Sequence, residues 1–336
     1  MANRIFGLAV IVLWLGSMGW LVTDRILPSF FEGQPPLVEA YEPGRAVAWN
    51  VLWSGKPVGK AASLRLPGVG GTTELHNRVT LEKIPLMDLA PAWMRNVAGN
   101  LGEMSFDAET RIELDSLGNF SAFESKIHLN DMPSVLKMSG RVKDSYLRLS
   151  VNSGQLPYTV SVYLPNCDTL NEALFPGAKL PYMYVGRRWQ EEVYSPFRTP
   201  GDPVELVQAE VVSVESLEYM GEVRRVLKVE YHSLVGSGVS DMARLQAISW
   251  VDPEGNVLQR DVFISSSKLR FIRLSDEQAT KVGKKLFKDV LKVNGIDLEA
   301  AADSEEQSAI SRLQDLSKHS PIKHSDGMPL TLSIDA

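Results

Sequence analysis

Cysteine is nearly absent from this chain: Cys167 is the only one in 336 residues. No intramolecular disulfide can form, which excludes a small disulfide-stapled secreted scaffold and leaves stability to an apolar core. An excess of basic residues is missing as well. The net charge is −6, and without Arg4, Asp24 and Arg25 around the N-terminal apolar run the remainder is more acidic still. Nucleic-acid binding depends on clustered Lys and Arg against phosphates, so nucleic acid is not an expected partner. The sequence lacks G-x-S-x-G, H-E-x-x-H and a P-loop. The stretch Pro67-Gly68-Val69-Gly70-Gly71 reads as a hairpin loop rather than a phosphate cradle.

Isolated chemistry-bearing residues do not assemble into a motif. Cys167 would need a histidine base and an electropositive setting to act as a nucleophile. None of His76, His128, His232, His319 and His324 stands in a cysteine-protease context. His319 and His324 with Asp326 match no zinc spacing. No catalytic residue, metal ligand or cofactor is therefore assigned.

The long apolar run is Ile5 to Thr23, nineteen residues without a formal charge. As a helix it would reach about 29 Å, near the ~30 Å of a bilayer core. Arg4 before it and Trp20 near its distal end point to a single-pass signal-anchor, with a cytoplasmic N-terminus and the bulk of the chain extracytoplasmic, in the periplasm or cell envelope. A cleaved signal peptide is the alternative, kept open by Gly16, Ser17 and Gly19.

The expected organisation is an anchor over 1–27, a linker over 28–45 with Pro28, Pro35, Pro36 and Pro43, a β-domain over 46–275 and a helical tail over 276–336. The clearest strand is Ser105 to Asp115. Phe106, Ala108, Ile112 and Leu114 alternate with Asp107, Glu109, Arg111 and Glu113, which places one face in a core and one in water. Ser116-Leu117-Gly118-Asn119 turns the chain into a return strand over 120–129. Further strands are expected over 46–54, 58–66, 135–142, 145–151, 158–164, 188–194, 205–218, 222–234, 243–251, 257–264 and 268–274. Short turns between them predict antiparallel pairing. Helices are expected over 86–97 and 170–174.

After Leu274 the period becomes helical. Ser275 and Gln278 form a capping box, Ala279, Val282, Leu286 and Val290 recur on one face, and Asn294-Gly295 ends the run. Lys281, Lys284, Lys285, Lys288 and Lys292 would either contact a membrane surface or form a solvated face. A second capping box, Ser304 with Gln307, opens another helix.

The fold class expected is mainly β: a curved antiparallel sheet or open barrel. Such a sheet needs its concave face covered, since exposed apolar area costs roughly 25 cal/mol per Å²; the helices over 86–97 and in the tail are candidate plugs. Trp49, Trp53, Trp93, Trp189 and Trp250 are the candidate ligand-face or core aromatics.

Three stretches carry a resemblance. They are Trp49 to Ala62 (WNVLWSGKPVGKAA), Gly186-Arg187-Arg188-Trp189, and Trp250 to Asn256 (WVDPEGN) leading into Val257 to Arg260. Their order over about 46–275 resembles a group of bacterial envelope β-domains of unknown function. It is also similar to the β-rich module upstream of some transglutaminase-like domains and, more distantly, to periplasmic lipoprotein-carrier half-barrels. The last likeness implies an acyl chain held against one face of the sheet. No cysteine follows Leu274, so the catalytic part of a transglutaminase-like protein is absent. Two functional expectations follow: an envelope binding or scaffold protein holding a lipid or a partner protein, or an enzyme acting on envelope glycans through paired carboxylates.

Overall fold

In a computed structural model, the structure describes residues 2–21, 35, 40–85, 103–129, 132–152, 157–163, 171–172, 175–194, 204–234, 245–264 and 267–298. Among the described residues, helix α1 (Ala2–Leu21) precedes fifteen strands. They are β1 (Ala46–Trp53), β2 (Lys56–Pro67), β3 (Thr73–Pro85), β4 (Glu103–Leu114), β5 (Phe120–Leu129), β6 (Met132–Lys143), β7 (Tyr146–Asn152), β8 (Tyr158–Tyr163), β9 (Asn171–Glu172), β10 (Arg188–Tyr194), β11 (Val204–Tyr219), β12 (Glu222–Ser233), β13 (Leu245–Val251), β14 (Val257–Ile264) and β15 (Ser267–Arg273). Helices α2 (Asp276–Leu286) and α3 (Lys288–Asn294) follow.

All the strands belong to one sheet, in the order β8-β7-β6-β5-β4-β3-β2-β1-β15-β14-β13-β12-β11-β10-β9. Fourteen pair antiparallel with their neighbours; two-residue β9 pairs parallel with β10. The chain enters mid-sheet at β1, meanders out to β8, restarts at the opposite edge and returns to β1. Trp49 pairs with Arg273 and Val51 with Phe271 at that junction. The sheet does not close: β8 and β9 are its two edges.

Alternation decides the faces. Val47, Trp49, Val51 and Trp53 of β1 join one apolar cluster with inward residues of every strand from β2 to β7 and from β10 to β15. A cluster shared by both wings requires the sheet to curl around it, as strand twist favours. Ala46 and Ala48, on the opposite phase of β1, belong to a second cluster with Ala62, Leu64, Leu66 and the tail helices. On β4 the expected alternation is present: Phe106, Ala108, Ile112 and Leu114 are buried.

Four expectations are corrected. First, the apolar run expected to span a membrane over 5–23 forms a helix over Ala2–Leu21. That helix includes polar Asn3 and Arg4, and Gly16, Ser17 and Gly19 dilute its distal half. Among the described residues no helix is long and apolar enough to cross a membrane.

Second, the tail helix does not plug the inner face. Ala279, Val282, Phe287 and Leu291 pack with Ala46, Ala62 and Leu64 on the outer side. Third, it is not one helix. The chain breaks at Phe287 (φ −105°, ψ 21°) between α2 and α3. Arg78 Nη1 donates to Leu286 O at 2.9 Å, so a sheet arginine takes a carbonyl at the end of α2, and the break turns Phe287 and Leu291 to the sheet. Fourth, within the expected helix over 170–174 the described pair Asn171–Glu172 is a strand. The expected helices over 86–97 and after Ser304 lie outside the described residues.

Ser275 does cap α2, accepting from the Gln278 N–H at 3.4 Å, with Asp276 and Glu277 in the first turn and Lys284 and Lys285 in the last. Charges in those positions complement the helix dipole. Replacing Ser275 with alanine is expected to cost about 1 kcal/mol, read as faster amide hydrogen exchange confined to α2.

Candidate functional site

The inner face carries two aromatic rings in contact, each flanked by a cation. Trp189 on β10 and Tyr231 on β12 meet edge to face at 6.1 Å between centroids. The Arg187 guanidinium lies 5.6 Å from the Trp189 ring and the Arg260 guanidinium, from β14, 4.5 Å from the Tyr231 ring. Register explains the order. Trp189 pairs with Ala209 and Ala209 with Tyr231, and Tyr231 pairs with Ala247. Alanines between the large side chains leave room for the rings.

The two arginines differ in their partners. Arg187 Nη1 donates to Pro181 O at 2.8 Å and to Tyr182 O at 3.0 Å, and burial lowers its pKa. Arg260 is 9% exposed, and its Nε reaches no acceptor. Among the described residues it forms no ion pair. Burial pushes the Tyr231 phenol up to about 12, although neighbouring Arg260 acts in the opposite direction. Nearby, Trp189 Nε1 donates to Glu191 Oε2 at 3.0 Å and Ser233 Oγ to Glu205 Oε1 at 2.5 Å. Trp49 Nε1 and Ser249 Oγ, both fully buried on this face, also lack hydrogen-bond partners.

The five tryptophans do not line one cleft. Trp49, Trp53 and Trp189 are in the inner cluster. Trp250 is on the outer side with Tyr219, Val226 and Leu258, and its Nε1 donates to Glu215 Oε2 at 3.1 Å. Trp93 lies outside the described residues, as do Cys167, His319, His324 and Asp326. Among the tail lysines, Lys281 pairs with Glu277 at 2.6 Å and Lys284 with Asp297 at 3.5 Å. Lys285, Lys288 and Lys292 are exposed on the side of α2 and α3 away from the sheet. His76 and His232 each contact a glutamate two residues away on the same strand. No group of three metal-ligating side chains comes together among the described residues.

A cavity of about 370 Å³ opens where β1, β14, the β11–β12 hairpin and α2 converge. Its charges are matched internally. Glu42 accepts from Lys179 at 2.6 Å and Arg45 at 2.8 Å, and Arg45 also reaches Asp276. Burial alone would raise the Glu42 carboxyl; those two cations more than offset it, and its pKa falls. Arg273 Nη1 donates to Ala178 O at 2.7 Å. The arrangement is a clasp tying residues 40–45 and 178–181 to the start of α2.

This inner group joins two of the sequence fragments noted above: Gly186 to Trp189 supplies Arg187 and Trp189, and Val257 to Arg260 supplies Arg260. Comparison with known proteins adds only general likeness. No family model matches the chain. No curated protein matches it. Among solved structures it is similar to a β-barrel-like protein of a domain of unknown function, DUF1849, from Brucella abortus, at 9% identity and a TM-score of 0.43, over 72% of this chain and 97% of that one. It is similar to the hypothetical lipoprotein YmcC of Escherichia coli at 11% identity and a TM-score of 0.25, over 75% and 94%. It is also similar to LprF of Mycobacterium bovis at 12% identity and 0.18, over 60% and 84%. At these scores the likeness carries no functional inference, and it lends nothing to the resemblance to the module upstream of transglutaminase-like domains.

Sequence reading missed Arg187, Glu191, Tyr231 and Arg260. One signal was present: Arg260 precedes Val262 and Ile264 at two-residue spacing, a cation on a phase whose next residues are apolar and join the inner cluster.

Proposed function

We propose that this chain is a binding protein of the cell envelope that receives the anionic end of an amphiphile on the inner face of its sheet. Helix α1, with exposed apolar side chains from Val10 to Trp20, is the segment that brings the chain to a membrane for export. Arg260 carries the reading. Its buried Nε has no acceptor, an unmet donor of that kind costs about 1–3 kcal/mol, and an acidic head group beside the Nε would relieve that cost. Trp49 Nε1 and Ser249 Oγ offer further donors on the same face, and the surrounding apolar residues suit a hydrocarbon tail.

The glycan-enzyme expectation needs two carboxylates facing across a cleft at roughly 5–10 Å. The inner-face pair Glu191 and Glu205 stands on adjacent strands, opposite Val207 and Val193. They lie side by side, and each already accepts a hydrogen bond.

Native mass spectrometry of the full chain, released from mild detergent after incubation with anionic phospholipid, tests the proposal. The expected result is a bound mass that organic extraction removes. Arg260→Met should abolish it without loss of thermal stability, because replacing a buried charge by an apolar side chain of similar volume is neutral or stabilising. A clean apo mass, or equal lipid uptake by the variant, would overturn the proposal.

A further inference from the structure

We infer that the outer face of β4 to β8 is a second and separate binding site, for an acidic saccharide. Arg141 on β6 and Arg148 on β7 are directly opposed in the register. Opposed side chains on antiparallel strands start only ~4.5–5.5 Å apart, and like charges placed so repel. Neither guanidinium has an ion-pair or hydrogen-bond partner among the described residues.

The acids of this face do not resolve the repulsion. Glu124 is engaged by Lys137 at 3.2 Å, Lys126 at 3.5 Å and Arg111 at 4.0 Å. Glu113 stands two strands from Arg141, beyond Ala122. The arginines border a groove of about 330 Å³, with the hydroxyls of Ser139, Ser150 and Thr159 along it. One pleat from Arg148, Tyr146 and Tyr163 pair across β7 and β8 with ring centroids 5.2 Å apart. Both rings are more than half exposed.

Each part of this arrangement limits the ligand. Two unpaired guanidiniums call for a carboxylate or phosphate. A simple anion would leave the tyrosines unused, and a neutral glycan would leave the arginines repelling each other. A sugar ring bearing an acidic group uses both: its anion bridges Arg141 and Arg148, its hydroxyls meet the serine and threonine hydroxyls, and its C–H face stacks on the exposed rings. A nucleic acid also combines anions with flat rings, but a net charge of −6 opposes it.

The test is calorimetric titration of the full chain in detergent micelles with trigalacturonate, with maltotriose and inorganic phosphate as comparators. Trigalacturonate is expected to bind, and more weakly as salt rises. The double variant Arg141→Gln, Arg148→Gln should lose at least tenfold in affinity, and Tyr163→Ala several-fold. Melting temperatures should not fall, since the double variant removes a repulsion from an exposed face. Arg260→Met should bind the saccharide unchanged, which separates this site from the inner one. No binding of trigalacturonate, equal binding of maltotriose, or phosphate binding of equal strength indifferent to Tyr163 would overturn the inference.

Discussion

Gly59→Ala is expected to destabilise the protein by at least about 3 kcal/mol, read as a large drop in the urea midpoint. Gly59 pairs with Val51 on one side and Leu81 on the other. The β1–β2 ladder shifts register immediately beyond it, between Val51 and Leu52, and the β2–β3 ladder ends at the Gly59–Leu81 pair. Backbone crowds the position as a result. A Cβ there would lie 1.9 Å from Thr80 O and 2.9 Å from Leu81 Cα. Neither atom is the end of a flexible side chain, so alanine must part β2 from β3. Gly177→Ala is the control: its Cβ would meet nothing closer than 3.9 Å, and a change within about 0.5 kcal/mol is expected, as at ordinary tolerant sites. Equal midpoints for the two variants would refute the close-approach argument.

Trp49→Ala is expected to cost about 3–5 kcal/mol. The indole is fully buried where β1 meets β15, and it stands edge to face against Phe175 at 6.1 Å. Truncation empties the point at which both wings of the sheet share their core. Trp49→Phe separates volume from polarity. Since the Nε1 has no partner, phenylalanine removes a buried donor whose burial costs ~1–3 kcal/mol. The phenylalanine variant should therefore lose much less than alanine. A comparable loss in both would mean that the N–H is satisfied in solution, by water or by ligand.

Local pattern was readable in the sequence and pairing was not. Strands such as Phe120–Leu129, Arg188–Tyr194 and Val257–Ile264 follow from apolar alternation bounded by turns. The strand Thr73–Pro85 was missed because its inward phase contains Asn77. That residue is tolerated inside only because its Oδ1 accepts from Ser63 Oγ at 2.7 Å across the β2–β3 ladder. A satisfied polar pair on the inner phase erases the alternation that marks a strand, and its partner comes from a different segment.

The candidate sites were hidden for the same reason. Arg187 and Trp189 are two residues apart and visibly cationic and aromatic. Their relation to Tyr231 and Arg260 exists only through four successive ladders, β10–β11, β11–β12, β12–β13 and β13–β14. Arg141 and Arg148 face each other because the β6–β7 turn fixes their register, which composition does not reveal. Trp250 shows the converse: five tryptophans suggested one aromatic surface, and strand phase put this one on the other side of the sheet.

Every antiparallel ladder except β1–β15 joins strands that are neighbours in sequence. Five residue pairs of that ladder, with the tail helix packed across β1 and β2, hold the beginning of the sheet to its end. A chain emerging N-terminus first completes the meander from β1 to β8 with one side of β1 bare. Its partner, β15, is the last of the described strands to appear. While the chain is being completed, the edge of β1, carrying Trp49 and Trp53, stays available to any other nascent strand until β15 arrives. Truncation before Ser267 would make that transient vulnerability permanent, so the C-terminal strand serves as the protein's built-in guard against self-association.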